Sequence, residues 1–98
     1  MYSAMDDQHV LVFFTSERSG PARRMESLLA HIARKEREQL RVKKVDVDRR
    51  PDIAERFRVR EVPALALVKD RRVVARLDGR VTTPRIEEML ESHLRAIA

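Results

Sequence analysis

In FFTSERSGPARRM, Phe13 to Met25, the hydroxyl of Ser19 sits between Arg18 and Gly20-Pro21, and Arg23 and Arg24 follow closely. These residue types allow three kinds of chemistry: nucleophilic attack, anion binding and helix capping. Attack by serine needs a base within hydrogen-bond reach and a group that orients the base. His31 lies several turns down the same helical pattern, and no sequence argument places His9 or His93 beside Ser19. Ser19 therefore reads as the N-cap of a helix beginning near Gly20-Pro21, its side chain accepting a backbone N–H. Arg18, Arg23 and Arg24, next to the free N–H groups of a helix start, form a corner suited to a carboxylate or phosphate. Arg24 reads more simply as a solvated surface charge.

Other chemistry is limited by what the chain lacks. It has no cysteine, which removes disulfides, thiolate metal sites and thiol reactions together. Asp46 and Asp48 share a strand face across Val47, but two carboxylates without a third ligand make a weak metal site, and Asp48 fits better as the cap of a following helix. No metal or cofactor is expected. The net charge is +5, carried mostly by arginine, with 17 Arg against 4 Lys. A basic surface can attract nucleic acid or an acidic protein. Here RKEREQLR mixes signs instead of clustering one, and Phe13, Phe14 and Phe57 lie in apolar patterns that leave only Tyr2 free for stacking, so nucleic acid is the less favoured partner. No apolar run approaches the roughly 20 residues of a membrane span, and MYSAMDDQHV lacks the basic start and apolar stretch of a secretory signal. A cytoplasmic protein without membrane contact is expected.

The elements that must position these residues follow from hydropathy. The chain has 98 residues, 43% hydrophobic and 38% charged, enough for one modest core, so residues 1–98 are expected to form one domain. HVLVFFT, His9 to Thr15, is a continuous apolar run of strand length, as a strand covered on both faces requires. From Pro21 to about Glu38, the residues Ala22, Met25, Leu28, Leu29, Ile32 and Ala33 fall on one helical stripe. RVKKVDV, Arg41 to Val47, predicts a strand whose Lys43 and Lys44 suit a sheet edge, and Pro51 to Phe57 predicts a short helix. ALALVKD and RVVARLD predict a hairpin through Asp70-Arg71, of uncertain turn type because it lacks glycine. Thr83 before Pro84 predicts the N-cap of a last helix with Ile86, Met89, Leu90, Leu94 and Ile97 inward. The order is β-α-β-α-β-β-α. A right-handed crossover makes the first two strands parallel, giving a four-stranded mixed sheet with helices on both faces.

From about Val10 to the C-terminus these residues resemble the thioredoxin family. Arg18-Ser19-Gly20-Pro21-Ala22-Arg23 stands where that family has Trp-Cys-Gly-Pro-Cys-Lys, and VKKVDVDRRPDIAERFRVREVPALALVKDRRVVARLDG is similar to its middle strand, short helix, Val-Pro dipeptide and closing hairpin. The resemblance implies a thioredoxin-like α/β fold and a cis peptide before Pro63. It also sharpens what is missing. Ser19 stands for the attacking cysteine, Ala22 for the resolving one, Phe13 for a buried aspartate, and Arg18 and Thr15 for tryptophans. Disulfide exchange requires a thiolate attacking sulfur, which serine cannot replace at neutral pH, so the site Ser19, Gly20, Pro21, Ala22 is degenerate and no enzyme activity is expected. Removal of the cysteines by mutation is a rival account that fits poorly with Phe13.

By resemblance, the backbone before Pro63 pairs with an extended peptide segment, and Gly79 matches the small residue beside that groove. The expectation is a redox-inactive protein- or peptide-binding module using Arg18, Ser19, Arg23, Val62, Pro63 and Gly79. The alternative is an anion or nucleic-acid binder using the basic helix start. Architecture alone also accounts for the proline and glycine. Thioredoxins carry a further strand and helix ahead of Val10, so Arg41 to Val47 is expected at an edge, where weak homodimer formation could occur unless Lys43 and Lys44 oppose it.

Overall fold

The first apolar run forms strand β1, His9–Thr15, buried from Leu11 onward. The structure, a computed structural model, describes residues 8–94. Along the chain follow α1 (Gly20–Lys35), β2 (Leu40–Asp46), α2 (Pro51–Arg56), β3 (Ala64–Lys69), β4 (Arg72–Asp78) and α3 (Thr83–His93). The sheet order is β2-β1-β3-β4. β1 runs parallel to β2 and antiparallel to β3, and β3 and β4 form the antiparallel hairpin. This is the expected four-stranded mixed sheet of a thioredoxin-like α/β fold.

Alternation along β1 divides the core into two layers, because successive side chains of a strand point to opposite faces. Leu11 and Phe13 join Ala22, Met25, Leu29 and Ile32 of α1 and Ile86, Met89 and Leu90 of α3. Val12 and Phe14 join Ala64 and Ala66 on the other face, where Ile53 and Phe57 from α2 and its end cover them. Phe14 and Phe57 meet with ring centroids 5.2 Å apart in a tilted arrangement, a favoured geometry for aromatic pairs. Full burial of Phe13 or Phe14 contributes about 1.5–3 kcal/mol each, and both faces of β1 depend on it.

Several local expectations change. α1 ends at Lys35 instead of Glu38, because the Leu40 N–H bonds to the Glu36 carbonyl at 2.8 Å and turns the chain into β2. β2 begins at Leu40, one residue early, and Val47 leaves the ladder after its N–H bonds to the Thr15 carbonyl at 2.9 Å. Asp48 does not cap α2. Arg50 holds that position without a side-chain bond, and the Pro51 ring sets the first turn instead. The last helix starts one residue earlier than predicted, with Thr82 as N-cap and Thr83-Pro84 in its first turn, where missing N–H bonds cost nothing. Ile97 and Tyr2 lie outside the described residues. Asp70 and Arg71 both have positive φ, 53° and 66°, so the hairpin turn has the left-handed signature of type I′ despite lacking glycine.

Candidate functional site

Strand pairing brings the candidate segments to one end of the sheet. β1 ends at Thr15 just where β3 begins, Phe14 facing Ala64, and Ala64 in turn faces Asp78 at the end of β4. The turn from Ser16 to Ser19, the Val62-Pro63 segment and Gly79 therefore all leave the sheet at the same end, which is also where α1 starts.

The turn is organised by Ser16, which is 6% exposed. Its hydroxyl donates to an Asp48 carboxylate oxygen at 2.6 Å and accepts the Arg18 N–H at 3.2 Å. Its carbonyl accepts the Ser19 N–H at 3.0 Å. Asp48, predicted as a helix cap, thus ties the β2–α2 connection to the β1–α1 turn, and the Arg18 guanidinium lies 3.7 Å from the same carboxylate. Arg18 is largely exposed, so this pair is worth less than about 1 kcal/mol. Sequence reasoning missed Ser16. The available signal was a small hydroxyl directly after an apolar strand, within reach of a turn rich in carboxylates.

Ser19 has extended backbone angles, and its side chain accepts the Ala22 N–H at 3.1 Å. It is the N-cap, as expected. No histidine among the described residues lies near Ser19. His9 begins β1 at the opposite end of the strand, about 20 Å away, and its ring lies 6.4 Å from that of His93. His31 is exposed on α1, about 18 Å along the axis from the cap. Burial, helped by the nearby Lys69 and His93 charges, lowers the His9 pKa from its ordinary value.

At the positions standing for the reactive machinery, the side chains are packed. Ala22 is fully buried and Phe13 is 2% exposed, both in one apolar cluster with Met25 and Leu65. Arg23 and Arg24 are exposed on the first turns of α1, and the Arg24 guanidinium folds back over Gly20. An Asp46 carboxylate oxygen accepts the Asp48 N–H at 2.8 Å, and among the described residues no three or more His, Asp or Glu gather as a metal site would need.

The Val62-Pro63 peptide is cis. Pro63 is buried and its carbonyl accepts the Gly79 N–H at 2.8 Å. Gly79 has φ +77°, a left-handed conformation that favours glycine, and a Cβ there would lie 3.0 Å from the end of the exposed Glu61 side chain, which can move aside. Val62 is half-buried, and among the described residues neither its backbone N–H nor its carbonyl has a hydrogen-bond partner. No helix among the described residues is long and apolar enough to cross a membrane.

Comparison with known proteins gives a consistent picture. A sequence model of the family described as Thioredoxin matches residues 3–92. A thioredoxin-like protein of Synechocystis sp. is 34% identical over 87% of this chain and 78% of its own length. Thioredoxin-1 of Drosophila melanogaster is 33% identical over 78% of this chain and 71% of its own. Among solved structures, the germline-specific thioredoxin Deadhead from the same fly superposes with a TM-score of 0.85 at 29% identity, covering 92% of this chain and 85% of that one. A mutant thioredoxin from Halobacterium salinarum gives a TM-score of 0.84 at 27% identity, covering 95% and 80%.

Proposed function

The chain belongs to the thioredoxin family, and on that premise we propose that it is a redox-inactive member that binds a protein or peptide at the former active-site surface. The observation that carries this reading is the backbone of Val62. An N–H and a carbonyl without partners, beside a buried proline at the end of a sheet, are what an extended peptide segment needs for strand addition. Arg18 and Arg23 would flank such a segment on one side and Gly79 on the other, with Ser19 and Pro63 setting the contour between them.

Loss of thiol chemistry supports the same reading. Ser19 is committed to capping, Ala22 carries no nucleophile, and Phe13 replaces a titratable group with a packed ring. A protein under demand for disulfide exchange could tolerate none of these, whereas a binding surface tolerates all three. Binding would leave the partner chemically unchanged.

The test has two arms. In an insulin-reduction assay with a thiol donor, the protein should give no turnover above buffer. In a pull-down of partner proteins or peptides, the intact chain should capture a set that Arg18→Glu and Val62→Asp both lose while keeping wild-type circular dichroism. Capture unaffected by either substitution would place the binding surface elsewhere.

A further inference from the structure

A cleft of about 630 Å³ opens beside this surface, between the first turns of α1 and the end of β2. At its wall stands Thr15, a short side chain at a position where the family resemblance places a tryptophan. Thr15 lines the cleft, is 5% exposed, and its hydroxyl has no hydrogen-bond partner among the described residues. A buried hydroxyl without a partner is a cost that folding ordinarily avoids, and it points to something the cleft holds.

The charged side chains around it are unequally committed. Lys44 pairs with Glu26 at 3.2 Å, and Asp46 accepts the Asp48 N–H. Arg23 and Arg49 line the same cleft and are exposed, and their guanidinium groups make no hydrogen bond or ion pair among the described residues. Glu17 is the carboxylate left without a partner there. Formal charges balance, but donors do not. Two guanidinium forks and one hydroxyl lack acceptors, against a single carboxylate that lacks a donor. A ligand rich in acceptor oxygens matches that excess, and guanidinium groups bind such oxygens in pairs.

We propose that this cleft binds the phosphoryl group of a small molecule, with Arg23 and Arg49 as charged donors and the Thr15 hydroxyl as the neutral donor at its wall. The site shares Arg23 with the proposed peptide surface but not Val62 or Pro63, so Arg49→Ala and Val62→Asp tell the two apart. The cleft is far larger than a phosphate ion. The remainder of the ligand occupies the space beside Glu17, which can accept a hydrogen bond from it.

Titrating the ¹⁵N-labelled protein with inorganic phosphate, and separately with glycerol 2-phosphate, at low ionic strength tests the site by amide and arginine side-chain shifts. Saturable shifts confined to Thr15, Ser16, Glu17, Arg23 and Arg49 are expected. Arg23→Ala and Arg49→Ala should each weaken binding about tenfold or more, and Thr15→Val about threefold. Glu17→Gln should tighten it by removing a repelling charge, and Arg85→Ala on α3 should leave it unchanged. Tighter binding of the ester than of phosphate identifies a phosphorylated metabolite as the ligand, and equal binding identifies free phosphate. Shifts that grow without saturation, or an Arg85→Ala loss equal to that of Arg23→Ala, would overturn the proposal in favour of diffuse attraction.

Discussion

Removing the Ser19 hydroxyl tests whether this position is structural. In Ser19→Ala the Ala22 N–H loses its acceptor at 3.1 Å. Ala22 is fully buried, so water is poorly placed to compensate. N-cap deletions cost about 0.5–2 kcal/mol, and burial of the orphaned donor puts this one in the upper half of that range, about 1–2 kcal/mol. For a domain of this size each kcal/mol lowers Tm by roughly 4–8 °C, so calorimetry or circular dichroism should record a drop of about 5–15 °C. Ser19→Asp supplies the missing acceptor and adds a negative charge at the positive end of α1. It should melt within about 2 °C of wild type, since Asp and Ser cap equally well. The reasoning fails if Ser19→Ala melts with wild type, or if Ser19→Asp falls as far as Ser19→Ala. Neither substitution should alter labelling by a fluorophosphonate probe, which the wild type should also resist.

Other outcomes follow from single features. Arg71→Gly should raise stability by about 1 kcal/mol in urea melts, because φ 66° strains a side chain that glycine lacks; a lower midpoint would contradict the turn assignment. Phe13→Asp, reinstating an acid in a fully packed site, should cost at least about 3 kcal/mol, and a near-neutral result would mean the ring is not part of the core. Because burial and neighbouring positive charge lower the His9 pKa, the folded state binds fewer protons than the unfolded one as pH falls below about 6.5, so stability should decline there. His9→Gln should flatten urea midpoints measured between about pH 5 and pH 7.5, and an unchanged slope would exclude His9 as the cause. Lys43 and Lys44 are exposed on β2, whose one neighbour among the described residues is β1. Replacing both with valine should increase self-association in light scattering, while a dimeric wild type would show that the lysines do not guard that edge.

The fold was legible because its signals are local. HVLVFFT has no polar face to spare, and only a central strand covered on both sides satisfies it. The stripe from Ala22 to Ile32, the paired runs on either side of Asp70-Arg71, and Pro84 near a helix start likewise report nearest neighbours along the chain. The site was half legible. Ser19 as a cap, Gly79 beside Pro63 and the absence of thiols could be inferred from residue type and resemblance. The Ser16–Asp48 bond could not, because it joins residues 32 positions apart that meet only once β2 lies beside β1. The same pairing took Asp48 away from the helix it was expected to cap. The partnerless Thr15 hydroxyl was also hidden, since its burial depends on α1 and β2 closing over it. Val62 looks like any apolar residue until the chain around it is folded and its backbone is seen to have no partner.

The position of β1 in the sheet also bears on how the protein is made. It precedes the other described strands in the chain, yet Leu11 finds one neighbour in Val42 and the other in Leu67. Until β3 has left the ribosome, the Phe13 and Phe14 rings have at most half their final surroundings, and the nascent chain exposes its most apolar segment until then. A stalled chain ending before β3 should therefore be held by chaperones and cut readily by protease. One long enough to carry β3 and β4 clear of the ribosome should begin to resist.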